Sequence, residues 1–452
     1  MPPPMTLDEA LAYLEDHINL EALLSTTRIA PPTLGRITQL MQLMDEPQRA
    51  YPVLHLTGTN GKGSTARILS SLVAAAGLSV GTYTSPDLER VNERLSWNGE
   101  PISDGALAEV IEAIAQLESL MDAAPSRFEI LTAAAYRWFA DIAVDVAVVE
   151  VGLGGRWDAT NVADGAVAVV TNVSLDHAEL LGDTLEAIAT EKSGIVKPGS
   201  TLVLGETTAS LAAIFRGAGA ERVWQRGEDY ECTANRVAHG GRLVSIRTPG
   251  ATYDDVFLPL HGAHQGENAA CALAAAEAFF DAPLGDDVVA EAFAAVQNPG
   301  RMEVMGHRPL TLVDGAHNPA GARAAAVTLA DEFTTIGRRV FVVGLLKGRE
   351  PGEMLAALGV TAGDTVIACA PPSPRALDPA EVAAAARALG ADAEVAPGPA
   401  PAVTRAFKAA QPDDVVMVVG SLYLVGAARP VVAAAVAARP PATDTPVEVD
   451  VD

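Results

Sequence analysis

The sequence predicts an α/β fold in two parts, and three observations lead there. From Val53 onward, short β-rich apolar runs alternate with Ala- and Leu-rich stretches of helical spacing, the pattern of a mostly parallel sheet flanked by helices. A glycine-rich turn separates the first strand from an amphipathic helix, as in P-loop-type sheets. After the turn cluster Gln297-Asn298-Pro299-Gly300 the alternation restarts with its own strands. In the first part, strands are expected at 53–56, 80–84, 144–151, 167–172 and 201–204, each nearly all apolar, as strands covered on both faces should be. A helix over 64–76 gathers Ile68, Leu69, Leu72, Val73 and Ala76 on one stripe, and Gly77 suits its C-terminal cap. Residues 223–258 read as a small antiparallel elaboration with Gly240-Gly241 as a turn. The second series has strands near 310–314, 339–344, 364–369 and 414–420, enough for an independent, smaller core. We therefore expect domains at 1–297 and 298–436, followed by a disordered acidic tail at 437–452.

Composition narrows the function. The chain has 452 residues, with 31 Lys plus Arg against 57 Asp plus Glu and a formal net charge of −26. Phosphate neutralisation needs clustered cations, so nucleic acid and anionic membrane surfaces are not expected partners. Three scattered cysteines, Cys232, Cys271 and Cys369, make neither a disulfide framework nor a Cys-ligated zinc site. The N-terminus lacks the basic end and apolar run of a secretory signal, and a cytoplasmic protein is expected.

The strongest local signal is Leu56-Thr57-Gly58-Thr59-Asn60-Gly61-Lys62-Gly63-Ser64-Thr65. Its glycines free backbone N–H groups to face an anion, the helix start adds positive potential, and Lys62 supplies a point charge. The strict P-loop pattern is not met, because Leu56 stands six residues before Lys62 and Gly63 separates Lys62 from Ser64. Bound nucleotide calls for magnesium, which prefers carboxylate, hydroxyl and water oxygens. Ser85, Glu150 and His177 lie at or just past the carboxyl ends of three apolar strands, where open α/β sheets bind ligands. Glu150 is costly inside Val146-Ala147-Val148-Val149-Glu150-Val151 unless a salt bridge or a cation compensates it. Lys192 falls on the apolar stripe of a helix opening near Thr184, so it must snorkel, pair with Glu150 or Glu191, or lose its proton. A neutral amine there could take up carbon dioxide as a carbamate.

In the second part, Asp314-Gly315-Ala316-His317-Asn318-Pro319 follows a strand and opens a helix, with Asn318 suited to the N-cap and Pro319 to the first turn. Arg301, in Gly300-Arg301-Met302-Glu303, could reach a phosphate or make a structural ion pair. Gly420-Ser421 ends the last strand.

Taken in order, Thr57 to Ser64, Thr84-Ser85-Pro86, Asn92-Glu93-Arg94, Phe128-Glu129, Glu150 to Asn161, Asp176-His177, Glu191 to Gly194, Gly300-Arg301 and Asp314 to Pro319 resemble the folylpolyglutamate synthase/dihydrofolate synthase family, the folate branch of the Mur ligases. The resemblance runs from about residue 6 to residue 426. It implies an ATP-dependent amide ligase of folate and one-carbon metabolism: an N-terminal ATPase domain and a C-terminal Rossmann-like domain closing around ATP and L-glutamate. It implies that Thr59, Asn60, Gly61, Lys62, Gly63, Ser64, Asn268, Arg301 and Asp314 hold ATP, and that Ser85, Glu150 and His177 bind two magnesium ions. Lys192 matches a position carbamylated in that family. Catalytic roles fall to Lys62, Glu150, Asp158, His177 and Lys192. Ser126, Phe128, Glu129, Arg156, Trp157 and Asp158 resemble the folate pocket, although Ser126 stands where threonine is common. His317 and Ser421 look like contacts to the incoming glutamate. The acceptor would be dihydropteroate or a reduced folate, and the family habit is a monomer. A peptidoglycan-precursor ligase on the same scaffold, or an ATP-hydrolysing switch without ligation, are the alternatives; Asn92-Glu93-Arg94, Phe128-Glu129 and Gly63 speak against the former.

Overall fold

The computed structural model describes residues 4–19, 33–176, 178–333 and 337–439. His177 and residues 440–452 of the expected tail lie outside the described residues; residue 437 of that tail ends a helix. Internal contacts divide the chain into Met1–Pro299 and Gly300–Asp452.

In the first unit, eight strands run in the spatial order β4-β3-β2-β5-β1-β6-β7-β8. These are β1 (Val53–Thr57), β2 (Val80–Tyr83), β3 (Leu95–Trp97), β4 (Glu100–Pro101), β5 (Val146–Glu150), β6 (Gly165–Val170), β7 (Thr201–Leu204) and β8 (Arg222–Gln225). All pairings are parallel except those of β3 and β4. β1 sits between β5 and β6, with Leu56 opposite Glu150 and Thr57 opposite Val170, so three strand ends open beside the glycine turn. The helix Lys62–Ala75, read from the sequence as a phosphate helix and so labelled below, starts two residues before the expected position. Its Ile68, Leu69, Leu72 and Val73 are fully buried, each worth about 1.5–3 kcal/mol relative to exposure, and seat it against helices His264–Phe280 and Asp286–Ala295.

The antiparallel elaboration is a three-stranded sheet of β9 (Glu231–Ala238), β10 (Gly241–Arg247) and β11 (Thr252–Leu258). It begins later than the sequence suggests, because β8 pairs parallel with β7 as the edge of the large sheet. The second unit carries six strands in the order β12-β13-β17-β14-β15-β16. They are β12 (Glu303–His307), β13 (Leu310–Asp314), β14 (Arg339–Val343), β15 (Thr365–Ala368), β16 (Asp392–Val395) and β17 (Val415–Val419). Only β12 is antiparallel, and β13 pairs with β17 so that Asp314 faces Val419 at the carboxyl end.

Candidate functional site

In the first unit the site grows from the end of β1. Gly61 adopts φ +83°, a conformation that suits glycine, and a Cβ there would stand 2.4 Å from Asn268 Oδ1. The turn is latched by the chain leaving β6. The N–H groups of Thr59 and Asn60 donate to Asn172, to its carbonyl and its Oδ1, both at 3.0 Å. Asn60 O accepts from Thr171 Oγ1 (2.7 Å) and Asn172 Nδ2 (2.9 Å), and Ser174 N–H donates to Thr59 Oγ1 (3.0 Å). Thr59 and Asn60 thus spend their backbone donors on the latch. The first turn of the phosphate helix, beginning at Lys62, offers N–H groups without intrahelical partners to an anion.

Lys62 folds back on this turn, donating from Nζ to Gly58 O (3.1 Å) and Thr59 O (3.4 Å). Lys192 ends helix Leu185–Lys192, is 3% exposed, and donates from Nζ to the same Gly58 O at 2.8 Å. Burial, reinforced by the Lys62 charge, pushes its pKa down to about 7. The lysine neither snorkels nor pairs with Glu150 at hydrogen-bond range; it is held beside the glycine turn, where burial disfavours its charged form.

Glu150 is 4% exposed at the end of β5, and its Oε2 accepts from the Ser85 N–H at 3.2 Å. Gly63, where the strict motif carries a hydroxyl residue, faces this carboxylate: a Cβ there would make ordinary contact with Glu150 Oε2 at 3.5 Å. A buried carboxylate beside the glycine turn, with the Ser85 side chain adjacent, is a donor set that suits a hard, hydrated cation. Among the described residues no three His, Cys, Asp or Glu side chains converge as a metal cage.

The residues read as a folate pocket divide by what they touch. Ser126 caps helix Arg127–Asp141, and Glu129 completes the capping box while accepting from Arg36 Nε at 3.0 Å. Phe128 lies over Gly152, where a Cβ would meet the ring at 2.5 Å, with the Tyr83 ring centroid 6.2 Å away. Arg156 donates to Thr190 O (3.2 Å), and Trp157 N–H donates to Glu191 Oε1 (3.2 Å), tying their loop to the helix that carries Lys192. Asp158 is buried. It accepts from Leu153 N–H (2.8 Å), Thr160 N–H (3.0 Å) and Thr160 Oγ1 (2.5 Å), while burial raises its pKa to about 6. Thr160 Oγ1 also contacts His55 Nε2 at 2.8 Å, and burial, then the Lys197 charge, drops the His55 pKa to about 3, so this histidine is a neutral strut.

In the second unit, Asp314 accepts from Met302 N–H and Ala316 N–H, both at 2.8 Å, and Arg301 Nη1 lies 3.1 Å from where a Gly315 Cβ would stand. His317 Nδ1 is 3.0 Å from Gly315 O, and Asn318 caps helix Pro319–Glu332 as its sequence suggests. Ser421, 1% exposed, caps helix Leu422–Ala437 and donates to Gly344 O (3.2 Å). Arg301, Asp314, His317 and Ser421 therefore share the carboxyl end of β13 and β17. Sequence reasoning missed the latch of Thr171, Asn172 and Ser174, whose one visible sign is a polar run at the end of a buried strand.

A model of the Mur ligase middle domain matches residues 56–276, and one of the Mur ligase glutamate ligase domain matches residues 300–422. The dihydrofolate synthase/folylpolyglutamate synthase of Mycobacterium tuberculosis is 41% identical over 405 residues, covering 84% of this chain and 82% of that one. Crystal structures of Mycobacterium tuberculosis folylpolyglutamate synthase complexed with ADP and AMPPCP are similar, with a TM-score of 0.85 at 39% identity over 94% of this chain and 99% of that one. Escherichia coli FolC in complex with DHPP and ADP gives a TM-score of 0.80 at 28% identity over 96% and 98% of the two chains. Among the described residues no helix is long and apolar enough to cross a membrane.

Proposed function

The chain belongs to the folylpolyglutamate synthase/dihydrofolate synthase family of Mur ligases, and from this premise we propose that it joins L-glutamate to dihydropteroate or reduced folates, driven by ATP. The observation that carries the proposal is the convergence of Lys62, Lys192 and Glu150 on the turn between β1 and the phosphate helix. The 1–297 segment would act as the ATPase domain with the folate site, and 298–436 as the glutamate-ligase domain. A cytoplasmic monomer acting on small molecules, without nucleic acid or membrane, completes the reading.

In the proposed reaction, a carboxylate oxygen of the acceptor attacks the γ-phosphorus of ATP, the bond to ADP breaks, and an acyl phosphate forms. The amine of glutamate then attacks the acyl carbon, phosphate leaves, and the amine loses a proton as the amide forms. Gly61, Lys62, Gly63 and Ser64 would cradle the phosphates. The positive helix end and Lys62 would offset charge gathering on the transferred group. Asn268 approaches Gly61 closely enough to bear on the same nucleotide, and Arg301 and Asp314 would contact ATP by family resemblance. Magnesium, held by Ser85, Glu150 and His177, would supply charge neutralisation to the phosphates. Lys192, as a neutral amine, can add carbon dioxide at Nζ and release one proton, becoming a carbamate that would add an anionic ligand there. Phe128 would provide a face for the pterin, with Ser126, Glu129, Arg156, Trp157 and Asp158 shaping the pocket around it. His317 and Ser421 would receive glutamate.

Purified protein given ATP, magnesium, labelled glutamate and either dihydropteroate or tetrahydrofolate should release ADP and phosphate in step with a labelled pterin product. Comparing the two acceptors at steady state tells a synthase of dihydrofolate from a tail-extending enzyme. ATP hydrolysis indifferent to both organic substrates would replace the ligase by a nucleotide switch.

A further inference from the structure

The segment joining the two units is anchored on both sides of a single residue. Upstream, helix Asp286–Ala295 packs on the phosphate helix, and Ser71 Oγ donates to Ala292 O at 2.7 Å. Three residues past that helix, Asn298 Nδ2 donates to Ser64 Oγ at 2.8 Å, in the first turn of the phosphate helix. Downstream, Gly300 is fixed within the second unit at both backbone groups. Its N–H donates to Glu303 Oε2 and its carbonyl accepts from Gly315 N–H, each at 2.8 Å. Glu303 is itself held by Arg429 (2.8 Å). Pro299, whose ring fixes φ, is all that lies between these anchors.

The direction of the Asn298 bond matters. A hydroxyl has one proton and two lone pairs. Ser64 Oγ, 8% exposed, accepts from the amide and keeps its own proton for another acceptor. At the start of the phosphate helix, the acceptor that nucleotide would bring is a phosphate oxygen, a step that rests on the reading of residues 58–64 as the phosphate site. We propose that Asn298 is a positioning residue: it sets the Ser64 hydroxyl as a donor to bound phosphate and carries the filling of the turn to the Pro299 connection. The bond lies within Met1–Pro299 and ends at the residue before Pro299, so filling of the turn bears directly on the start of the connection.

ADP affinity measured by calorimetry on the full chain tests this, with Asn298→Ala, Asn298→Asp, Ser64→Ala and the Asn298→Ala/Ser64→Ala double variant. Asn298→Ala should weaken ADP binding by about five- to tenfold, the worth of one hydrogen bond, and should add less than about twofold in the Ser64→Ala background. Asn298→Asp keeps the size but cannot donate as a carboxylate, so it should weaken ADP at least as much as alanine does. ADP should slow hydrogen exchange at Gly300 and Met302 in the wild-type chain, an effect a merely structural residue would leave in place and Asn298→Ala should abolish. Equal losses from Asn298→Ala in both backgrounds, or wild-type ADP affinity in Asn298→Asp, would overturn the proposal. Lys62→Ala separates the two levels: if it abolishes ADP binding while the Asn298 variants bind normally, only the Asn298 role fails. If Lys62→Ala binds ADP like the wild type, the phosphate-site reading fails and this proposal with it.

Discussion

The ammonium groups of Lys62 and Lys192 reach for one acceptor, the carbonyl oxygen of Gly58, at 3.1 and 2.8 Å. Two cations cannot share a buried oxygen without cost, and the more buried one yields. Lys192 is the buried one, and its pKa falls to about 7, burial being the larger cause and Lys62 the second.

The sign of the resulting pH dependence follows from linkage. The value in the folded chain lies below that of an unfolded lysine, so between about pH 7 and 10.5 the unfolded chain holds a proton that the folded chain does not. Below that window the buried charge costs the fold its full penalty, and stability rises with pH across the window, by at most about 1.4 kcal/mol per pH unit, as the penalty is relieved. Urea denaturation of the wild type and Lys192→Met in carbon dioxide-free buffer checks this. The wild type should gain on the variant as pH rises from 7 to about 9. A constant difference would mean that Lys192 stays charged when folded.

A carbamate at Lys192 makes a separate demand on activity. Lys192→Ala should lose at least about 100-fold in ligation rate while keeping ADP binding within a few-fold, because Lys62 and the helix start remain. Millimolar formate or acetate should restore part of the rate by placing a carboxylate in the vacated volume. Lys192→Arg, permanently charged, should be inactive and not rescued. A fully active Lys192→Ala enzyme removes the carbamate from the mechanism.

Asp158 accepts with both oxygens, Oδ2 from Leu153 N–H and Oδ1 from Thr160 N–H and Oγ1. Asparagine can satisfy one side only, since its amide would face a backbone N–H on the other. Asp158→Asn should therefore lower stability by about 1–3 kcal/mol, the cost of a buried donor left unpaired. Chemical denaturation reads this directly, and an unchanged midpoint would show that the loop re-forms around the amide.

The large sheet was legible because its inner strands are apolar on both faces; β1, β5, β6 and β7 all fall within a few residues of the runs that announced them. Short or polar edge strands were not. Leu95–Trp97, Glu100–Pro101 and Asp392–Val395 are too brief or too charged to carry an apolar signal, and their pairing is decided by the neighbour already in place. The same division holds at the site. Lys62 and Gly61 declare themselves because glycine freedom and a helix start are local properties, and Glu150 because a carboxylate in a buried strand is conspicuous. Asn172 and Asn298 were silent, since each matters only through a partner more than one hundred residues away.

Gly152 and Phe128 fit together only because one of them has no side chain. A Cβ on Gly152 would stand 2.5 Å from Cζ and 2.8 Å from Cε2 of the ring, so Gly152→Ala must push the ring aside. The backbone of Gly152 is outside the left-handed region, which leaves this contact as the main consequence of the change. The ring is the far end of a rotatable side chain, so the chain should still fold. Phe128 stands beside Tyr83, whose ring is buried and cannot follow it. If Phe128 is the face on which the pterin rests, Gly152→Ala should raise KM for the folate acceptor by about five- to tenfold, the scale of one aromatic contact. ADP affinity should stay within about twofold, because the phosphate turn makes no use of that ring. Phe128→Leu should reproduce the acceptor effect without the steric clash. Equal changes in acceptor and nucleotide binding would show that the ring supports the whole strand-end cluster instead of one substrate, and no change in either would remove Phe128 from the folate site.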